Sequence, residues 1–262
     1  MQHCEYEYLS HKRSFHEGVF TDRHHFAGYP SSAEFRMIER DLKLVERYQV
    51  PYHVLHLSTK EGVELVRQAK AKGLPVTCEV TPHHLLLCDE DIREPFANYK
   101  MNPPLRGADD RQALQKGLAD GTIDIISTDH APHTREEKER PHDLAPFGII
   151  GLEFAWPLLY TELYLKHIVS FSRLLDAFSI KARNIFGLPQ YPIANGVKAH
   201  LTLIAPEYSK VASVNELCSK SMNTPFLGRE LKGWPVLTIW DGRITYKDEI
   251  FWRKQYVSHN KS

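Results

Sequence analysis

Strand-like and helix-like segments alternate through the first half of the chain, and this alternation constrains the fold more than any other feature. Residues 51–57, 75–80 and 122–126 are apolar and of strand length. Helical spacing of apolar residues fills the intervals between them, and Gly73 and Gly121 provide stop signals. Short links between alternating strands and helices predict parallel pairing and an α/β fold.

Cap signals set the expected helix boundaries. Ser31 and Ser32 precede a helix that Pro51 closes. Ser58 and Glu61 have the spacing of a capping box at the start of the next helix. A further helix is expected over about 111–119, directly before the 122–126 strand.

The run STDHAPH (residues 127–133) follows the 122–126 strand and places Asp129 between histidines. An acid at the C-terminal tip of a parallel strand lies at the mouth of a (β/α) barrel. There it can both ligate a metal and move protons. Asp129 is therefore the first candidate catalytic and metal-binding residue, although capping of the segment after the strand is the alternative.

Two other strand ends offer imidazole: His3 within the run HCE (residues 3–5), and the segment 51–59 with its two histidines. Alternation along that strand puts His53 and His56 on opposite faces. Only His56 lies at the C-terminal end, so we predict it as the ligand and His53 as a packed or hydrogen-bonded neighbour. Two imidazoles with the Asp129 carboxylate suit a zinc site that keeps an open position.

Composition excludes several function classes. Lys+Arg and Asp+Glu both number 33, so the net charge is zero, and this favours a small-molecule substrate over nucleic acid or a membrane surface. The four cysteines show no CxxC spacing, as expected for reduced thiols. No signal peptide or long apolar run is recognisable, so a soluble, cytoplasmic protein is expected.

The strands near His3, His56, His83 and Asp129 are only about half of those in a closed (β/α)8 barrel. From about residue 193 the pattern changes to short strands with turns, as in 200–204 and 236–244. We therefore expect a partial barrel over residues 1–190, and part of a small β domain over 191–262.

Several spaced motifs in order resemble bacterial-type (class I) dihydroorotases among the cyclic amidohydrolases, nearly end to end. They are HCE (3–5), HLST (56–59), VTPHH (80–84), NPPLR (102–106), TDHAPH (128–133), APFG (145–148) and NTPF (223–226). This family closes N-carbamoyl-L-aspartate reversibly to L-dihydroorotate in pyrimidine synthesis. It uses two zinc ions at the mouth of a (β/α)8 barrel.

The resemblance implies roles residue by residue. His3, His56 and Asp129 match zinc ligands on barrel strands 5, 6 and 8, and Asp129 also matches the proton-transfer residue. Asn102 and His133 match residues that contact the substrate. The loop through Pro146 and Gly148 matches one that lines the substrate ring. The chain then corresponds to strands 5 to 8 and the tail of the family.

The sequence departs from the family because it contains no His-x-His pair and no counterpart of the strand 4 bridging ligand. Adjacent His24 and His25 do not imitate such a pair, whose two imidazoles leave one face of a strand. We interpret the chain as truncated at its N-terminus. It is expected to be poorly soluble and inactive alone, because an opened barrel exposes unpaired strand edges and apolar surface.

Two alternatives remain open: a hydantoinase or allantoinase that shares the metal scaffold, and a non-catalytic partner of aspartate transcarbamoylase. A homodimer is a further implied assembly. His83 and His84 are either partners of the ligands or packing groups. Arg106 is expected to form a salt bridge within its own loop.

Overall fold

The computed structural model describes residues 1–11 and 13–253, and it is an α/β structure. The α-helices are α1 Glu7–Ser10, α2 Val19–His24, α3 Ser32–Tyr48, α4 Lys60–Ala71, α5 Pro82–Leu86, α6 Ala108–Asp120, α7 Arg135–Lys138, α8 Leu152–Leu159, α9 Phe171–Leu175 and α10 Lys181–Ile185. The strands are β1 Tyr52–Val54, β2 Val76–Val80, β3 Ile125–Ile126, β4 Leu201–Ala205, β5 Lys210–Val211, β6 Glu230–Leu231, β7 Trp234–Trp240 and β8 Arg243–Lys247.

The first sheet is parallel, as predicted, and has the order β1-β2-β3. A parallel bridge between Gln2 and Val54 places the N-terminal segment beside β1. Four chain segments therefore lie side by side, and the turns that carry His3, His56 and Asp129 follow their ends on one edge.

The strand expected over 122–126 is shorter in the structure, because β3 begins at Ile125. The carboxylate of Asp124 accepts the Cys78 N–H at 2.9 Å and the Lys70 ammonium at 2.6 Å. This side chain takes up a backbone donor of β2 before the regular β2-β3 pairing begins.

Helix α4 begins one residue later than the capping-box pattern indicates. Thr59 is the N-cap, and its hydroxyl accepts the Gly62 N–H at 3.2 Å. The predicted cap, Ser58, instead donates its hydroxyl to Glu34 of α3. A long-range carboxylate thus outcompetes the local helix end for Ser58. Helix α6 ends at Gly121, as predicted, with φ of 85°.

Thr59→Ala is expected to lower the free energy of unfolding by about 2 kcal/mol, because it removes both a bonded N-cap and the hydrogen bond that the Thr59 hydroxyl donates to Glu34. Ser31→Ala at the start of α3 is the matched control, since Ser31 makes no side-chain cap bond. Chemical denaturation of both variants measures the difference. Equal losses would contradict the assignment of the cap.

The C-terminal region contains an antiparallel sheet of order β4-β7-β8 and a two-stranded β5-β6 sheet. The 236–244 segment, where short strands with turns were expected, lies in a hairpin: β7 and β8 are joined at Asp241 and Gly242, which have φ of 51° and 76°. An Asp-Gly pair with positive φ at both residues is a two-residue hairpin signal.

Two groups of buried apolar residues form the core. One lies between the parallel sheet and helices α3, α4 and α6, and includes Ile38, Val54 and Val66. The other joins Phe15 and Phe20 to Phe226 and Trp234. Residues on both sides of the 190/191 boundary therefore share one apolar core. None of the helices in the described ranges has the length and apolar character needed to cross a bilayer.

Candidate functional site

His56 lies just beyond the end of β1, which stops at Val54. The strand alternation used to orient His56 therefore does not extend to it, and its φ of 30° turns the chain away from the strand path. The Leu57 N–H donates to the Glu79 carbonyl at 2.8 Å and holds this turn against β2. His53 is buried and bonds Thr77 and Glu79, as expected for a hydrogen-bonded neighbour.

The imidazoles of His3 and His56 face each other. His3 Nδ1 lies 2.9 Å from His56 Nε2, and the ring planes meet at 74°. Burial, followed by the charge of His3, lowers the pKa of His56. A neutral imidazole is the form that binds metal, so burial favours the binding-competent state of His56.

Glu5 completes this group and was not singled out from the sequence. Its carboxylate lies 2.8 Å from His3 Nε2 and accepts Asn102 Nδ2 at 2.9 Å. The hydrogen bond from His3 lowers the pKa of Glu5 to about 2. The spacing of His3 and Glu5, two residues apart along an extended segment, is a sequence signal that could have placed both side chains on one face.

Asp129 follows β3 with φ of 47°. Its negative charge partly offsets the lowering of the His56 pKa by burial and by the charge of His3. In the described ranges, however, only Cys88, Asp89 and Glu90 bring three potential ligand atoms within 4.8 Å of one another. His3, His56 and Asp129 therefore share an edge without forming so compact a group.

The segment after His56 is held by a buried carboxylate. Glu34 accepts the Ser58 N–H at 3.1 Å, the Thr59 N–H at 2.9 Å and both hydroxyl groups. Arg106 donates to Ser58 Oγ at 3.0 Å and to the Tyr29 carbonyl at 3.2 Å. The expected loop salt bridge of Arg106 is thus wrong for the described residues, because its guanidinium reaches neighbouring segments instead.

His83 and His84 are both buried, and burial lowers the pKa of His84 to about 3. His84 bonds the Thr81 hydroxyl at 2.8 Å and the Pro103 carbonyl at 3.0 Å. It therefore fixes the loop that carries Asn102. His83 Nε2 has no partner among the described residues.

The predicted substrate residues divide between two cavities. Asn102 lines one of about 330 Å³ together with His3, Glu5 and Phe147. His133 lines another of about 680 Å³. A hydrogen bond links the linings of the two cavities, because His133 Nε2 donates to the Phe147 carbonyl at 2.8 Å. Pro146 and Gly148 flank Phe147 in this loop.

The residues present fit a metal ion with nitrogen and oxygen ligands. His56 Nδ1 and Asn102 Oδ1 are buried and have no partner in the described part of the chain. Unpaired buried polar atoms are costly. Imidazole nitrogen, which His3 and His56 offer at this edge, and carboxylate oxygen, which Asp129 offers, are ligand types that zinc accepts.

Relatives of known name match this chain over most of its length. A dihydroorotase from Bacillus subtilis (strain 168) is 50% identical over 246 residues, which are 94% of this chain and 58% of that protein. One from Geobacillus sp. (strain WCH70) is 49% identical over 245 residues, 94% of this chain and 57% of that protein. The chain thus spans 57–58% of the length of these relatives. No protein-family model matches the chain.

Solved structures give a second comparison. A D-hydantoinase (dihydropyrimidinase) from Thermus sp. superposes with a TM-score of 0.76 at 29% identity, over 84% of this chain and 50% of that one. An L-hydantoinase (dihydropyrimidinase) from Arthrobacter aurescens gives 0.76 at 30% identity, with the same coverage. By sequence, this chain is similar to bacterial dihydroorotases over 94% of its own length, and it spans a little over half the length of these relatives.

Proposed function

We propose that this chain carries part of the active site of a zinc-dependent, cytoplasmic dihydroorotase, which interconverts N-carbamoyl-L-aspartate and L-dihydroorotate in pyrimidine synthesis. Residues 1–190 correspond in this proposal to strands 5–8 of a (β/α)8 barrel, and 191–262 to part of a small β domain. Sequence identity of 49–50% to dihydroorotases supports the assignment.

The observation that carries the proposal is the convergence of His3 and His56. Their ring nitrogens lie 2.9 Å apart at one edge of a parallel sheet, and Asn102 contacts the same group through Glu5. Catalytic groups of parallel α/β enzymes gather at the C-terminal ends of the strands. This convergence therefore supports the proposal of a barrel mouth that holds a metal ion, with a substrate contact beside it.

His3, His56 and Asp129 would hold the zinc in this proposal. Zinc bound there supplies a water of lowered pKa and polarises the substrate carbonyl. Asp129 accepts a proton during ring opening and returns it to the leaving ring nitrogen. Asn102 and His133 orient the substrate carboxylate and ring amide, and Pro146 and Gly148 line the ring. The 262 residues contain no His-x-His pair, so the second ion of the family lacks these ligands here.

A hydantoinase-type cyclic amidohydrolase is the second candidate, because the structures described above are hydantoinases that superpose at a TM-score of 0.76. The scaffold is common to both activities, whereas the higher identity is to dihydroorotases. Ligand selectivity separates the two. Isothermal titration should show tighter binding of L-dihydroorotate than of hydantoin or allantoin to the zinc-treated chain. Preference for hydantoin or allantoin would overturn the proposal.

His56→Asn is expected to weaken zinc binding by more than about 100-fold, because losing a ligand exceeds the 10–100-fold cost of losing an outer partner. His25→Asn is the matched control: both histidines have positive φ, of 30° and 56°, and Asn tolerates that region. Zinc titration of both variants gives the comparison. An unchanged affinity in His56→Asn would remove His56 from the ligand set.

A non-catalytic partner of aspartate transcarbamoylase is the remaining alternative. Co-purification with the transcarbamoylase, together with no binding of L-dihydroorotate, would favour that role. A homodimer is also compatible with the proposed enzyme. Sedimentation of the purified chain in the analytical ultracentrifuge gives its mass, which distinguishes a monomer from a dimer.

A further inference from the structure

Two buried lysines hold the loop of residues 142–148, which carries the Phe147 carbonyl that bonds His133. Lys100 Nζ donates to the carbonyls of His142 at 2.8 Å and Asp143 at 3.3 Å. Lys138 Nζ donates to the carbonyls of Pro146 at 3.0 Å and Gly148 at 2.8 Å. Four carbonyls of the 142–148 loop thus bond two ammonium groups, and we call this arrangement the lysine clamp.

Both lysines are buried: Lys100 is 3% exposed and Lys138 is 6% exposed. Among the residues with described positions, no carboxylate lies within 4.0 Å of either ammonium group to balance its charge. Burial, with the charge of Lys100, lowers the pKa of Lys138 to about 8. Lys100 also lies 4.4 Å from the centroid of the Phe147 ring. Burying two cations without counter-charges is costly, so carbonyl contacts and this ring replace the usual ion pair.

The loop in turn fixes His133. The Phe147 carbonyl, which lies between the Lys138 contacts at Pro146 and Gly148, accepts His133 Nε2 at 2.8 Å. Asn223 Nδ2 donates to the Gly148 carbonyl at 3.1 Å, and Asn223 Oδ1 accepts the His133 N–H at 3.4 Å. Because a carbonyl only accepts, this contact requires a proton on His133 Nε2.

We propose that Lys100 and Lys138 are positioning residues, which orient the Phe147 carbonyl and through it the ring of His133 towards the substrate. The inference rests on the proposed function, because His133, Pro146 and Gly148 are substrate contacts only there. Neither lysine touches the substrate in this account. The clamp sets the geometry of groups that do.

Lys138→Met and Lys100→Met test the clamp, because methionine keeps an apolar stem and removes the ammonium. Each is expected to weaken L-dihydroorotate binding roughly tenfold, equivalent to about 1.4 kcal/mol. Lys116→Met, at an exposed lysine of α6, is the matched control and should bind as the unmodified chain does. Titration calorimetry gives the affinities, and thermal unfolding reports whether each variant is folded.

A second measurement does not depend on the ligand. Nitrogen NMR of the His133 ring should show Nε2 protonated in the unmodified chain and in Lys116→Met. In Lys138→Met the His133 ring should lose this preference, because the Phe147 carbonyl that accepts its Nε2 proton is no longer held in place. A purely structural lysine would lower thermal stability without changing the His133 tautomer in folded protein.

Stability against pH gives a further check on the buried ammonium. Between about pH 8 and 10.5 the unfolded chain keeps the Lys138 proton while the folded chain has lost it. Unfolding then takes up protons, so stability rises with pH in this window, and Lys138→Met should lack this contribution. Lys100 is the charged group that acts on Lys138.

The outcomes separate the two proposals. Unchanged dihydroorotate affinity and an unchanged His133 tautomer in both folded variants would overturn the clamp and leave the proposed function standing. If the unmodified chain prefers hydantoin while the tautomer still changes in Lys138→Met, the function fails and the clamp stands. Failure of both variants to fold would assign the lysines a structural role and overturn the positioning proposal.

Discussion

Glu34→Ala should lower the free energy of unfolding by about 3 kcal/mol or more, because buried donors left unpaired cost about 1–3 kcal/mol each. Glu34 is 2% exposed and accepts the N–H and hydroxyl groups of Ser58 and Thr59. The substitution also removes an anion near the buried guanidinium of Arg106, which bonds Ser58. Urea denaturation measures the loss.

Glu39→Ala is the control for this experiment. Glu39 lies on the same helix α3, and its side chain is 49% exposed in an ion pair with Lys43. Such exposed pairs contribute less than about 1 kcal/mol. The same change of residue type should therefore have a small effect at position 39. A Glu34→Ala variant as stable as Glu39→Ala would show that the 58–59 segment does not depend on this carboxylate.

Gly148→Ala should lower the free energy of unfolding by about 4 kcal/mol, from backbone strain and overpacking together. Gly148 has φ of 116°, and an added Cβ would lie 2.4 Å from Ala131 Cβ and 3.3 Å from His133 Nε2. The substitution therefore also displaces the ring proposed to contact the substrate. Denaturation and titration with L-dihydroorotate measure the two effects.

Gly121→Ala separates strain from steric overlap. Gly121 has φ of 85° but no neighbouring atom within 4 Å of an added Cβ. It should therefore show only the conformational cost, about 1–2 kcal/mol, and leave ligand binding unchanged. If both glycine variants lost equal stability, the close packing of Gly148 against Ala131 would contribute nothing.

Local patterns in the sequence predicted much of the parallel sheet and its helices. The 75–80 segment became β2, and the Gly121 stop signal ended α6. These features depend on neighbouring residues, so short windows contain the information. The predicted element boundaries were wrong where a residue distant in sequence formed a hydrogen bond. Ser58 donates to Glu34 and does not cap α4, and the Cys78 N–H donates to the Asp124 carboxylate, so that β3 begins later than expected.

In the candidate site too, local patterns predicted some features and long-range contacts decided the others. Strand-end positions indicated His3 and His56, and in the structure His3 Nδ1 lies 2.9 Å from His56 Nε2. The orientation of His56 was predicted from strand alternation, but it depends on a turn with positive φ after β1. Lys100 and Lys138 gave no signal, because an isolated lysine in a sequence is usually a solvated side chain.

The sequence alone determined the kinds of groups available and the order in which they reach one edge of a parallel sheet. Periodicity and stop signals act over a few residues, and they suffice for this. Only the tertiary structure decided which of these groups pair, because Glu5 with Asn102 and Lys138 with Gly148 meet through folded loops. Those contacts depend on burial and on unpaired donors and acceptors finding partners, which no local pattern encodes.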